Sequence, residues 1–164
     1  MPQRDFSTVY DEHIWHVYGF FAYRVRSRAD AEDLTQVTFE RALRAWNRYD
    51  ATRAGVSTWL LAIARNALID HVRADRSGRE RTVEEVPEQM AFDRPSLGLD
   101  ADLERALAAL GERERELIAL RFGGDLTGPE IAALTGLTLA NVQQILSRAL
   151  RRMRTVMDPA GVRG

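Results

Sequence analysis

The sequence contains no cysteine. That absence excludes a disulfide framework, a thiolate metal site and a cysteine nucleophile together. No apolar run approaches the roughly 18 residues needed to cross a bilayer. The opening residues Met1-Pro2-Gln3-Arg4-Asp5 lack the basic-then-apolar layout of a secretory signal. Membrane insertion is therefore not expected, and a cytoplasmic location is. There is no G-x-S-x-G, no phosphate loop and no G-x-G-x-x-G. His13 and His16 stand three apart, a spacing that can hold a metal on a helix, but no third ligand or HExxH pattern accompanies them. The expectation is a protein with no catalytic residues, metal, cofactor or small-molecule substrate. Lysine is missing too, so all 23 basic residues are arginine. Arginine suits bidentate contacts to phosphate and guanine, although a GC-rich genome produces the same bias.

What is present describes an ordered protein: 45% hydrophobic and 29% charged residues, enough of each to build a core and a solvated surface. The net charge of −1 hides a segregation. Residues 1–82 hold 13 arginines against 11 acids, residues 83–104 one against seven, and residues 105–164 nine against six. Acid is concentrated in the middle and both ends are mildly basic.

Periodicity predicts helices throughout and no strand. Phe6, Val9, Tyr10, Ile14, Val17, Tyr18, Phe21 and Val25 recur at helical spacing, predicting a helix over about 5–26. A second begins near Ala29, with Asp30, Glu32 and Asp33 expected in its first turn, where the helix dipole favours acids. Residues 47–55 read as a loop. Ser57 is the expected N-cap of a third helix that runs into the arginine-rich stretch 73–81. Between about 82 and 99, Glu84-Glu85, Pro87, Pro95 and Gly98 break the pattern and predict a flexible acidic linker. Beyond it, helices are expected at about 100–110 and 112–122, followed by a turn at Gly123-Gly124-Asp125. The expected organisation is thus all-α, with small helical domains at 1–82 and 100–158 joined by a linker at 83–99.

The segment after that turn carries the functional signal. Thr127-Gly128-Pro129-Glu130 has the form of a capping box with proline at an early helical position. Gly136 supplies a left-handed residue to end a short helix, and Thr138 is a good N-cap for a longer one over about 139–157. A short helix, a glycine turn and a longer helix make a helix-turn-helix, whose second helix can enter a major groove. Ile131, Ala132, Leu134, Leu137, Val142, Ile145 and Leu146 would hold the pair together. Thr138, Ala140, Asn141, Gln143, Gln144, Ser147 and Arg148 are left toward solvent or DNA. Asn and Gln read adenine bidentately, and Arg148, Arg151, Arg152 and Arg154 can neutralise phosphates.

Two blocks then invite a comparison. Asp30-Ala31-Glu32-Asp33-Leu34-Thr35-Gln36-Val37-Thr38-Phe39 and Ser57-Thr58-Trp59-Leu60-Leu61-Ala62-Ile63-Ala64-Arg65-Asn66, with Asp70 and Arg73, closely resemble region two of the extracytoplasmic-function (ECF, group IV) sigma factors. Leu110 to Phe122 and the helix-turn-helix ending Ser147 to Arg154 resemble region four. The likeness implies a factor that binds bacterial core RNA polymerase and promoter DNA to direct transcription initiation, under the control of an anti-sigma factor. It would assign Asp30, Glu32, Asp33, Gln36 and Phe39 to polymerase docking. Arg48, Tyr49, Arg53, Ser57, Thr58, Arg65 and Asn66 would serve the minus-ten element, where capture of a flipped base offsets the few kcal/mol of unstacking. Trp46 and Trp59 are read as core anchors. Thr138, Ala140, Asn141, Gln143, Gln144, Ser147, Arg148, Arg151 and Arg152 would meet the minus-thirty-five duplex. Val142-Gln143-Gln144-Ile145 stands where the family frequently has Val-Lys-Ser-Arg, leaving fewer cations at the helix start. Two other classes fit parts of the pattern: a dimeric activator or repressor, which would self-associate on a palindromic duplex, and a helical adaptor without salt-dependent DNA affinity.

Overall fold

The computed structural model describes residues 5–81 and 100–158, and the expected linker lies outside the described residues. All regular structure among the described residues is helical. The first half contains α1 (Phe6–Ala22), α2 (Arg28–Ala45), a 3₁₀ turn (Trp46–Arg48) and α3 (Val56–Arg81). The second contains α4 (Ala101–Ala108), α5 (Glu112–Ile118), a π turn (Ala119–Gly123), α6 (Gly128–Thr135) and α7 (Leu139–Met157).

Local chemistry explains most boundaries. Ser27 Oγ accepts the Asp30 amide at 3.0 Å and starts α2 after the chain has turned away from α1. α1 stops at Ala22 rather than continuing to Arg26: the Arg24 and Val25 amides both turn back onto Phe21 O, and the chain is extended by Ser27. The Ser27 cap also moves the first turn of α2 forward. Asp30 alone lies in that turn, and Glu32 and Asp33 fall beyond the reach of the dipole argument. Ser57 is not a cap: α3 begins at Val56, and the Ser57 hydroxyl lies 3.4 Å from His13 Nδ1 on α1.

Asp100 caps α4 by accepting the Asp102 amide at 3.0 Å. The helix expected to end at Phe122 instead widens after Ile118. Gly124 N–H reaches five residues back to Ala119 O at 2.8 Å, and Leu126 N–H to Leu120 O at 3.0 Å. Asp125 then takes a left-handed conformation, φ 60°, which Asp tolerates better than most residues.

Packing joins the halves. α1 packs on α2, α3 and the π turn; α7 packs on α4, α5 and α6; and α3 reaches α6. Val17, Phe20, Phe21, Leu60, Leu61 and Ala64 share one buried cluster with Leu117, Leu120, Leu126, Ile131 and Val142. A second cluster holds α4 to α7 through Ala106, Leu107, Leu110, Ile118, Ala149 and Met153. Among the described residues the two buried polar side chains, Thr35 and Thr38, donate to Ala31 O and Leu34 O at 2.7 and 2.8 Å, so neither hydroxyl is left unsatisfied. No helix among the described residues is long and apolar enough to cross a membrane.

Candidate nucleic-acid interface

The helix-turn-helix is assembled from short-range bonds. Thr127 Oγ1 accepts the Glu130 amide at 3.3 Å while Glu130 Oε1 accepts the Thr127 amide at 2.8 Å, and proline sits in the first turn. Gly136, at φ 78°, ends α6 with its N–H on Ala132 O, a conformation that would strain any side chain. Thr138 Oγ1 accepts the Asn141 amide at 3.1 Å and starts α7. Thr138→Ala is expected to cost about 1 kcal/mol by removing this cap. A fall in melting temperature with faster exchange of the Asn141 amide would show it; an unchanged melt would mean that another group holds that amide.

Once α7 is started, its 3.6-residue period sorts its side chains. Val142, Ala149 and Met153 are buried, and Ile145 and Leu146 are half-buried against the rest of the domain. Thr138, Ala140, Asn141, Gln143, Gln144, Ser147, Arg148, Arg151 and Arg152 are all exposed. Asn141, Gln144, Arg148 and Arg151 fall three or four residues apart and so share one stripe. α7 carries Arg148, Arg151, Arg152 and Arg154 and no acid, and a shallow depression is lined by Arg148, Arg151, Arg152, Thr155 and Val156. Arg152 differs from its neighbours in donating to Glu114 Oε1 at 3.0 Å, which ties α7 to α5.

The loop between α2 and α3 is braced by its own side chains. Asp50 Oδ1 accepts the Thr52 hydroxyl at 2.6 Å and the Thr52 amide at 2.9 Å, and these bonds hold its carboxyl below the usual range. Tyr49 stacks on Trp46, with centroids 5.2 Å apart and planes 5° off parallel, and its hydroxyl donates to Ala54 O at 2.9 Å. Trp59 lies 4.8 Å from the Tyr49 ring and 5.8 Å from Trp46. Trp46 and Trp59 are thus half-buried members of an aromatic cluster that fixes the loop. Arg48, Arg53 and Asn66 are exposed around it, while Ser57 and Thr58 are half-buried. Arg65 is placed apart from these: its Nε donates to Glu116 Oε1 at 2.5 Å and its Nη1 to Leu134 O at 3.3 Å, both in the second half of the chain.

On the remaining surface, Glu32, Asp33 and Gln36 are exposed, and Asp30 is half-buried with Oδ2 3.7 Å from His71 Nε2. Phe39 departs from the expectation of a docking side chain. It is 5% exposed and sits edge-on to Phe6 and Tyr10 at 6.4 and 4.8 Å, so it is chiefly a core residue whose small exposed part lines the adjacent groove. Beside it, α1 and α2 form an open apolar groove of about 770 Å³ whose lining includes Trp15, Tyr10, Gln36, Glu32 and Leu43. Trp15 is 73% exposed and was not singled out by sequence; its one available signal was that it falls off the apolar stripe of α1. His13 and His16 have ring centroids 6.1 Å apart, and no group of three metal-ligating side chains occurs among the described residues.

Comparison with known proteins follows the same division. Residues 9–78 match the family "Sigma-70 region 2" and residues 106–155 match "Sigma-70, region 4". The ECF RNA polymerase sigma factor RpoE of Cereibacter sphaeroides is 34% identical over 152 residues, 87% of this chain and 80% of that protein. The ECF sigma factor BldN of Streptomyces coelicolor is 32% identical over 93% of this chain, which spans 60% of that longer protein. In fold, the chain is similar to the sigma factor RpoE of Bartonella quintana, solved in complex with the anti-sigma factor NepR. The TM-score is 0.76 at 22% identity, covering 94% of this chain and 97% of that one. With both regions matched in order and the identity to RpoE spread over most of both proteins, the chain belongs to the ECF RNA polymerase sigma factors, the transcription initiation factors with which bacterial core RNA polymerase recognises promoters.

Proposed function

We propose that the chain acts in the cytoplasm as a promoter-specificity subunit with no chemistry of its own, and that its two halves divide the work. Residues 1–82 serve core polymerase and the minus-ten element, and residues 100–158 serve the minus-thirty-five duplex. The observation that carries this reading is the exposed stripe of α7. Two carboxamides able to read base edges precede arginines able to hold phosphates, on a helix that is capped at its start and anchored along its other face. Arg48, Arg53 and Asn66, around a loop braced by Trp46, Tyr49 and Trp59, would meet single-stranded DNA.

For polymerase docking we assign the exposed face of α2 at Glu32, Asp33 and Gln36, continued by the Trp15 groove. Charged residues beside an apolar trough fit the core-and-rim composition of a protein interface. Asp33→Ala combined with Gln36→Ala is expected to weaken binding to core polymerase by about tenfold, equivalent to about 1.4 kcal/mol. The far-ultraviolet circular dichroism should stay unchanged, because both side chains are exposed. An unaltered affinity would remove this face from the interface. Control by an anti-sigma factor, of the kind seen bound to the B. quintana protein, completes the proposal.

Run-off transcription with bacterial core polymerase on fragments from the neighbouring genome is the test of the whole reading. Discrete transcripts that need this protein are expected. None, together with self-association on a palindromic duplex, would favour a dimeric regulator instead.

A further inference from the structure

From Ile131 to Ser147 the sequence contains no charged residue, although 29% of the chain is charged. The run covers most of α6, the glycine turn and the first half of α7. Burial explains only part of it, because Thr138, Ala140, Asn141, Gln143, Gln144 and Ser147 are exposed. An exposed face without charge costs little to dehydrate, since no ion gives up its water. It also lacks a guanine reader. The bidentate partner of guanine is Arg or Lys, and the first cation of α7 is Arg148, eight residues or about 12 Å along the axis from Ala140.

Within this face the side chains divide by what they have free to offer. Thr138 Oγ1 is already taken up by the Asn141 amide at 3.1 Å. Leu139 is 39% exposed but leans on α6: a Cβ placed on Gly128 would lie 3.1 Å from Leu139 Cδ1, so this leucine packs the start of one helix against the start of the other. Asn141, Gln143 and Gln144 carry carboxamides. Ala140 offers only a methyl group. It stands one turn before Gln143 and Gln144 and in line with Gln144, Ser147 and Arg151, at four- and three-residue intervals along the outward arc. A longer side chain at this place would hold α7 away from the base edges, whereas a methyl lets the carboxamides beside it reach them.

The bases that carboxamides read define what that methyl meets. Asn and Gln pair bidentately with N6 and N7 of adenine, and each adenine of a duplex faces a thymine, whose 5-methyl is the apolar feature of the major groove. Two alkyl groups brought together there release the water around both.

We infer that Ala140 is a specificity-determining residue: its methyl packs on the 5-methyl of a thymine adjoining the bases that Asn141 and Gln144 read. An A·T step is then recognised by methyl contact as well as by hydrogen bonds. The inference rests on the assignment of α7 to the upstream duplex made above.

The test exchanges thymine for deoxyuridine, which deletes the methyl and leaves the base pairing and the O4 acceptor intact. Holoenzyme reconstituted from bacterial core polymerase and the full chain first selects its upstream element from promoter fragments randomised at that site. The selected duplex is then rebuilt with deoxyuridine at one thymine at a time. Burying one methyl changes affinity about fourfold. Deoxyuridine at one position of the element should therefore weaken wild-type binding by about threefold to fivefold, and deoxyuridine outside the element should have no effect. Ala140→Gly holoenzyme should bind the thymine and deoxyuridine duplexes equally. Ala140→Ser, which keeps a side chain in the first turn of α7 but sets a hydroxyl at the contact, should also narrow the difference. An element without a methyl-sensitive thymine would overturn the contact while leaving the upstream assignment of α7 in place. Equal sensitivity in the wild type and both variants would give the methyl to another side chain and overturn the role of Ala140. Selection of no upstream element at all would overturn the assignment of α7, and this inference with it.

Discussion

Phe20→Ala is expected to destabilise the protein by about 3–5 kcal/mol, at the upper end of what a single side-chain truncation costs. Phe20 is fully buried on α1 and packs edge-on against Phe21 at 5.3 Å, within the cluster that includes residues from both halves. Truncation loses the transfer free energy of the ring and leaves a cavity whose walls are contributed by several helices, so collapse on one side is resisted on the others. With a urea m-value of about 2 kcal/mol per molar, the unfolding midpoint should fall by about 1.5–2.5 M. Trp15→Ala is the contrasting control. Its side chain is as large but 73% exposed, and its stability change should stay within about 0.5 kcal/mol. A Phe20→Ala cost below about 1 kcal/mol would contradict the burial on which the shared core depends.

The second large effect concerns sequence reading. Asn141→Ala together with Gln144→Ala should abolish preference for the native upstream element, a loss of about 2–6 kcal/mol of discrimination if each carboxamide reads a base bidentately. Both side chains are exposed and lie one turn apart, and alanine favours the helix, so α7 and its Thr138 cap should persist. Neither residue is charged. Affinity for unrelated DNA, and the slope of binding against salt, should therefore remain as in the wild type. Arg148→Ala with Arg151→Ala should behave in the opposite way, weakening every sequence alike and reducing the salt slope by about 1 for each phosphate that is no longer neutralised. Competition assays with polymerase holoenzyme at fixed salt separate these outcomes. If the carboxamide variant bound all sequences equally more weakly, α7 would be a phosphate clamp rather than a reader.

The two variants probe the part of the molecule whose form was most legible beforehand. Thr127, Glu130, Gly136 and Thr138 act on amides within a few residues of themselves, so backbone geometry alone dictates what they do. The start and end of α7 and the exposure of its reading face follow from them and from a clear apolar stripe. Start signals were weaker where two candidates compete. Ser57 had the chemistry of a cap, yet the Asp50–Thr52 turn and the Tyr49–Ala54 bond deliver the chain into α3 before it. Ser27, in contrast, does cap, and it displaces the acids of α2 from the places that composition suggested.

What the sequence determined by itself is everything that depends on near neighbours or on pattern: an all-helical chain, a helix-turn-helix with defined ends, a stripe of Asn, Gln and Arg, and membership of a family that the ordered motifs mark. Tertiary structure decided the rest. The burial of Phe39, the exposure of Trp15 beside an apolar groove and the capture of Arg65 by Glu116, 51 residues away, each depend on which surfaces meet. So does the π turn, which brings Gly123 against Gly19. A periodic pattern states that a face is apolar but not what covers it. Two basic, amphipathic halves look alike in sequence whether they stand apart or pack together, because periodicity marks Phe20, Leu61, Leu120 and Ile131 as apolar without stating that they share one buried cluster.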